Sequence, residues 1–504
     1  MINLTQNSLT LNKTLPEFRD SFFIEGDVII PDVKPDVDTV IYIDAVPVID
    51  NYVVNSGQIT LTGTSEFNIL YVSEILPNEI IRISTSIPFK NSFAVANLNP
   101  ESLINVILSP SKVSSLILNG RKLSVSTELC ANIKISTKEE IYYIEEVENT
   151  ETIQQLKSEK CIPVFMNQCT TKTNIRDTAM LTTDQPTIKD ILKYDCSVEE
   201  EESVISDGKI ILKAELHVKI YYTSEKSDEI HLFNVTLPIS AFLDVKDIKE
   251  NDNTKLTNTI KNLSIKLLPD SDDLMRIVEF DADVETSAKV FKNNNLEIIE
   301  DIYSTELDLL PEKENIGYEL NTPTTTEDIM LRGTISIPED ENIKILKSLA
   351  RVKSINLEKE NNNEMLTGII DVTIIYKVPS TGKINSVSLD MPMGHMLTEK
   401  IHTIENYKIK NIEVTSVGNE KYEVKITLEI KGHENKTDTI CILKNLIETE
   451  KTVQKNTGLT IYFVKPDDTL WKIAKRFHTT IDHISEINTL ENPDNLAVGQ
   501  ALIM

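Results

Sequence analysis

The chain has 504 residues, with 51 Lys and Arg against 79 Asp and Glu and a net charge of −28. That length allows three or four domains, each with its own core, and the acidic balance argues against a nucleic-acid partner, which calls for clustered Lys and Arg. A hydrophobic content of 40 %, rich in Ile, Val and Thr, excludes disorder and favours sheet.

Three anchors recur in one order at a period of about 150 residues. The first copy has an acidic amphipathic stretch led by a proline (Pro35, PDVDTVIYIDA), then a strand-like run from Gly63 to Tyr71, then a run from Ile83 to Pro88. The second copy repeats them at Pro186 (PTIKDILKYDC), Ala214 to Tyr222 and Phe233 to Pro238. The third repeats them at Pro338 (PEDENIKILKSLA), Gly368 to Tyr376 and Val387 to Pro392. Each copy continues with an alternating run, from Lys122, Val278 and Tyr422 respectively. Period-two alternation with β-branched residues reads as half-buried antiparallel strands. The chain is therefore expected to be mainly β: three β-rich, sandwich-like repeats, each with room for one short helix. The pattern lapses into polar stretches that read as short linkers, which sets the expected domains at 1–148, 160–308, 320–448 and 459–504.

From Leu459 the character changes, and a βααβ unit follows. Ile461 opens a short strand. Asp468 or Thr469 caps a helix whose Leu470, Ile473, Ala474 and Phe477 form a buried stripe. Thr480 starts a second helix with Ile481, Ile484 and Ile487 facing the same core, Asn492 to Asp494 turn, and Gly499 leads the closing strand.

This unit resembles the LysM domain through Asp468, Thr469, Leu470, Ile473, Ala474, Asn488, Gly499, Gln500 and Leu502. It departs from that pattern at Asp467, where the family usually has Gly in the loop lining its glycan groove, and it lacks a closing Pro after Ile503. The runs GDVIIPDVKPDVDTVIYIDA from Gly26, DQPTIKDILKYDC from Asp184 and LNGRKLSVSTEL from Leu118 resemble the SPOCS domain of clostridial spore-coat morphogenetic proteins. That resemblance implies a non-enzymatic scaffold of spore coat assembly in the mother-cell cytoplasm at the forespore surface. Its implied partners are stage IV sporulation protein A, the basement-layer ATPase, and other coat proteins. The alternative it leaves open is a peptidoglycan-binding LysM protein of the cortex or wall.

Five cysteines (Cys130, Cys161, Cys169, Cys196, Cys441) without a CxxC pair read as reduced cytosolic thiols, and no stretch reads as a signal peptide or membrane span. Asp32, Asp36 and Asp38 lie beside Pro31 and Pro35, where Asp is a turn and cap residue more often than an acid–base pair. The run from Asp270 to Asp273 starts like a calcium loop, but Met275 and Asp281 stand where its Gly and Glu belong. The seven histidines take no metal spacing, and no nucleophile elbow, Walker A or dinucleotide motif occurs, so neither a cofactor nor catalysis is expected. Trp471, the single tryptophan, sits one position off the buried stripe. Lys475 and His478 share its arc, framing an aromatic anchor for a protein partner. Asp468, Thr469, Asn488 and Pro493 are the candidate residues of a glycan groove.

Overall fold

A computed structural model describes residues 2–504 except 97, 101, 149–150, 207, 251, 338–342, 361–362, 419, 453–457 and 491–495. The sequence anchor at Pro338 and the groove candidate Pro493 thus lie outside the described residues. The first repeat consists of β1 (Leu4–Thr14), β2 (Phe18–Ile29), β3 (Thr39–Asn55), β4 (Gln58–Val72), β5 (Ile81–Ala94), β6 (Leu103–Asn119) and β7 (Lys122–Val147). Alternation along β7 places Leu123, Val125, Leu129, Ala131, Ile133 and Ile135 inside, with Ser124, Ser126 and Glu128 outward. Sheet β3-β4-β5 meets this face, and Phe67, Ile69 and Tyr71 from β4 share a core with Val28 of β2 and Leu123 and Val125 of β7. The repeat is therefore a two-sheet sandwich.

The second repeat has β8 (Ile153–Met180), β9 (Asp190–Ser206), β10 (Lys209–Ser224), β11 (Ser227–Asp244), β12 (Asn253–Pro269) and β13 (Met275–Ser304). Its β8 does the work of β1 and β2 together. The third has β14 (Leu307–Glu319), β15 (Thr324–Ser336), β16 (Lys344–Glu360), β17 (Asn363–Lys377), β18 (Ile384–Met396), β19 (Thr403–Gly418), β20 (Lys421–His433) and β21 (Thr437–Thr452), the last two replacing one long strand. The orders β11-β10-β9 with β12-β13-β8, and β16-β17-β18 with β15-β20-β19, reproduce the first repeat. No helix occurs among the described residues of the repeats, and the acidic stretches lead into strands β3 and β9.

Tyr71, Tyr222 and Tyr376 stand at matching ends of β4, β10 and β17. The Tyr71 hydroxyl donates to the Pro35 carbonyl at 2.9 Å and that of Tyr222 to the Pro186 carbonyl at 3.1 Å, so two of the sequence anchors are tied to each other. Tyr71→Phe and Tyr222→Phe should each lower the stability of the full chain by about 1 kcal/mol in urea unfolding, because the loss leaves a half-buried carbonyl without its donor. Asp32 and Asp36 belong to the same loop: Arg121 bridges them at 3.0 and 3.1 Å and also donates to the carbonyls of Ile30 and Lys34. Their carboxylates clamp a turn.

The stretches read as linkers are largely strand. Residues 153–160 begin β8, 307–319 form β14 and 448–452 end β21. Each lies in a two-stranded ribbon, β1 with the end of β7, the start of β8 with the end of β13, and β14 with β21. Only about one side of each ribbon is buried, so the composition is polar while the backbone groups are paired. The three ribbons share one core, with Leu9, Leu11, Ile141 and Tyr143 from the first repeat, Ile162 and Ile298 from the second, and Tyr318, Ile440 and Ile442 from the third.

The sandwiches also close on one another. β5 packs on β9, β11 on β16 and β18 on β3, a head-to-tail contact used three times, which closes a ring within one chain. At its centre Ile41, Tyr42, Leu70 and Val72 meet Leu192 and Leu346, Leu349 and Ile375. A buried ion pair joins the first two repeats, Lys193 to Asp44 at 2.7 Å, and Lys347 of the third lies over the Tyr221 ring of the second at 4.7 Å.

Candidate functional site

The C-terminal unit is β22 (Ile461–Phe463), α1 (Leu470–Phe477), α2 (Ile481–Ile487) and β23 (Ala501–Ile503), with β22 and β23 antiparallel. Thr469 caps α1 by accepting from the Lys472 amide, and Thr480 caps α2 by accepting from the His483 amide. Leu470, Ile473, Ala474, Ile484, Val464 and Leu502 fill its core. Ile487, expected in that core, is exposed, because α2 ends there and Asn488 turns the chain away.

The three groove candidates that are described hold the unit together. The Asp468 carboxylate accepts from the Tyr462 hydroxyl at 2.6 Å and the Lys465 amide at 2.8 Å, and the Tyr462 bond leads in keeping its carboxyl below the ordinary range. The Asn488 amide donates to the Ile503 and Ile484 carbonyls and accepts from the Ile503 amide at 2.7 Å. Thr469 is spent on its cap. Asp467 takes a left-handed φ of 66°, a conformation that Gly adopts at least cost.

Trp471, Lys475 and His478 do share one face of α1, as the sequence implies, but that face is half-covered by the chain itself. It sits on the end of β13. The Trp471 indole lies edge-on to the Tyr303 ring at 4.9 Å and donates through Nε1 to Asp301 Oδ2 at 2.7 Å. Lys475 Nζ donates to Asp301 Oδ1 at 2.6 Å, Tyr303 donates to the Thr479 carbonyl at 2.7 Å, and His478 Nδ1 lies 3.2 Å from the Ser304 carbonyl. Tyr303 is 3 % exposed and joins the core of the C-terminal unit. Asp301 and Tyr303 carried no signal in the sequence. A bulge at Glu300, where the β13–β8 register skips a residue, breaks the alternation in IIEDIYS and re-aims both side chains.

Burial opposes the charged form of Asp301, but hydrogen bonds from Lys313, Lys475 and Trp471 outweigh it and bring the carboxyl from 3.8 to about 2. A lowered docked value means that this carboxylate's contribution is complete above the ordinary value and is lost as pH falls through the docked one. Emission from Trp471, the only tryptophan, should therefore hold steady from about pH 8 to 5 and shift between about pH 4 and 2.

Repeated β sandwiches joined to a βααβ unit define a modular, mainly β protein, without a helix among the described residues long and apolar enough to cross a membrane. The particular modules are identified by family models: residues 36–116 and 187–268 match the SipL, SPOCS domain, and residues 462–504 match the LysM domain. The chain thus carries two SipL-type SPOCS domains ahead of a C-terminal LysM domain. The third repeat shares the strand order of the matched two. The cortical fragment-lytic enzyme of Bacillus subtilis (strain 168) is 46 % identical over 46 residues, which is 9 % of this chain and 11 % of that protein. No solved structure matches. SPOCS and LysM are binding domains associated with the sporulation coat, and the stretch shared with the lytic enzyme is its LysM region.

Proposed function

We propose that this protein is a non-enzymatic scaffold of spore coat assembly, acting in the mother-cell cytoplasm at the forespore surface, and that its LysM domain recognises protein. In this reading the SPOCS ring carries coat proteins and the LysM domain joins them to a basement layer of stage IV sporulation protein A. One observation carries it: the Trp471 face binds protein side chains, an aromatic ring and a carboxylate, in its own chain. A half-buried aromatic beside a charged donor is the composition of an interface hot spot. The groove side supports the same reading, since Asp468, Thr469 and Asn488 are engaged within the domain.

A second reading, a LysM domain that holds peptidoglycan of the cortex or wall, is favoured by the likeness to the cortical fragment-lytic enzyme. Two parallel assays on the full chain and on a chain ended at Asn456 separate the readings. The scaffold requires that the full chain capture stage IV sporulation protein A from sporulating-cell extract, that the shortened one fail, and that neither sediment with insoluble peptidoglycan. Sedimentation of the full chain alone, without capture, favours the glycan reading.

A further inference from the structure

We propose that the α1 face of Trp471, Lys475 and His478 is a receptor for an extended protein segment of the pattern Asp-x-Tyr, and that Asp301, Ile302 and Tyr303 are a resident occupant that such a partner displaces. The inference rests on the reading of the LysM domain as a protein-recognition module and adds the chemistry of what it takes.

The geometry defines the pattern. Residues two apart in a strand face one way, about 7 Å from each other, which lets one segment present a carboxylate and a phenol together. Trp471 and Lys475 are one helical turn apart on the facing surface. The indole N–H takes one carboxylate oxygen and the ammonium the other, at 2.7 and 2.6 Å. The phenol then stacks on the indole edge and donates to the Thr479 carbonyl beyond the end of α1. Each element of the pattern meets a separate group.

The other repeats show that the pattern is selective. All three ribbons skip one residue at matching places, Glu145, Glu300 and Lys444. Counting from those bulges, the positions of Asp301 and Tyr303 are held by Glu146 and Glu148 in the first repeat and by Asn445 and Ile447 in the third. Only the second offers an Asp followed two residues on by an aromatic, and the LysM domain sits there, although Ile447 is an exposed apolar side chain on the third. Apolar surface alone does not attract it.

The resident occupant is also replaceable. The hydrogen bonds, ion pairs and ring contact between the described LysM residues and the repeats all end on Asp301, Tyr303 or Ser304. So small a contact persists because the domain is tethered and its effective concentration is high. A partner with the same pattern and further contacts outcompetes it.

The test uses the full-length chain and a fluorescein-labelled peptide of residues 296–306, read by anisotropy. Asp301→Asn with Tyr303→Ala should free the face and bind the peptide at least about tenfold more tightly than the parent, which binds only through its undocked fraction. Adding Trp471→Ala should remove that binding, as should replacing the peptide's Asp and Tyr. Tyr303→Phe, which loses only a hydroxyl, should give an intermediate gain and serves if the double variant unfolds. Equal binding by parent and opened chain, or no binding by an opened chain with an unchanged thermal melt, overturns the proposal. A parent that dimerises with concentration and loses this with Trp471→Ala would put a second copy's segment on the face and overturn in-chain occupancy. No coat protein enters the assay, so its failure is distinct from failure of the scaffold reading.

Discussion

Lys193→Ala is expected to destabilise the full chain by about 3–5 kcal/mol in urea unfolding, because it leaves Asp44 charged and buried at the joint between two repeats. The pair is 2.7 Å long and both side chains are about nine-tenths buried, with exposures of 11 % and 10 %. Burial alone would raise the Asp44 carboxyl, yet Lys193 first, with Arg351 and the Ala45 amide behind it, draws it below the ordinary range. The third repeat shows how the charge can be dispensed with. Register along the paired strands sets Asp44 opposite Asn68, Asp195 opposite Lys219 and Leu349 opposite Thr373, which makes the three residues equivalent. Leu349 packs in the central cluster without a charge. Asp44→Leu combined with Lys193→Met should therefore recover most of the lost stability, since an apolar pair of similar volume removes both desolvation costs. A double variant as unstable as Lys193→Ala would show that the ion pair itself, and not the orphaned carboxylate, sets the energy of the joint.

The second large effect separates the fold of the LysM domain from its docking. Ile473→Ala removes a side chain that is 1 % exposed from a core of few residues and should cost that domain about 2–5 kcal/mol. Hydrogen exchange should then report lost protection throughout α1 and α2. Trp471→Ala should leave those amides protected, because Leu470, Ile473, Ala474 and Ile484 remain in place. Protection should instead be lost at the contact with Tyr303. A truncated aromatic hot spot typically costs roughly 2 kcal/mol, or about thirty-fold in affinity. If Trp471→Ala unprotected the two helices as fully as Ile473→Ala, Trp471 would be a core residue of its domain and the face would have no separate role.

Much of the ring was legible from three kinds of residue. Tyr71 and Tyr222 mark strand ends because a buried phenol needs a partner, and Pro35 and Pro186, which supply it, lie the same distance ahead of each. The alternating runs gave the inner sheets directly. The ribbons were hidden because only one side of each is buried, as in β14, where Glu312, Lys313, Glu314 and Asn315 follow one another without an apolar residue. Closure of the ring was hidden too, since Lys193 and Asp44 look like ordinary surface charges until two strands distant in sequence meet. At the LysM end the helical period correctly grouped Trp471, Lys475 and His478. It carried no information on what covers them, because Asp301 and Tyr303 lie about 170 residues away, behind a bulge that periodicity does not register.

The reading of the LysM domain as a protein-binding module meets its most direct test in a titration of purified stage IV sporulation protein A with the full chain and with its Trp471→Ala form. The account predicts saturable binding by the parent and a loss of about thirty-fold or more in the variant, with the melting temperature of the LysM domain unchanged. Equal affinity for the two chains, with an intact fold in both, would contradict it.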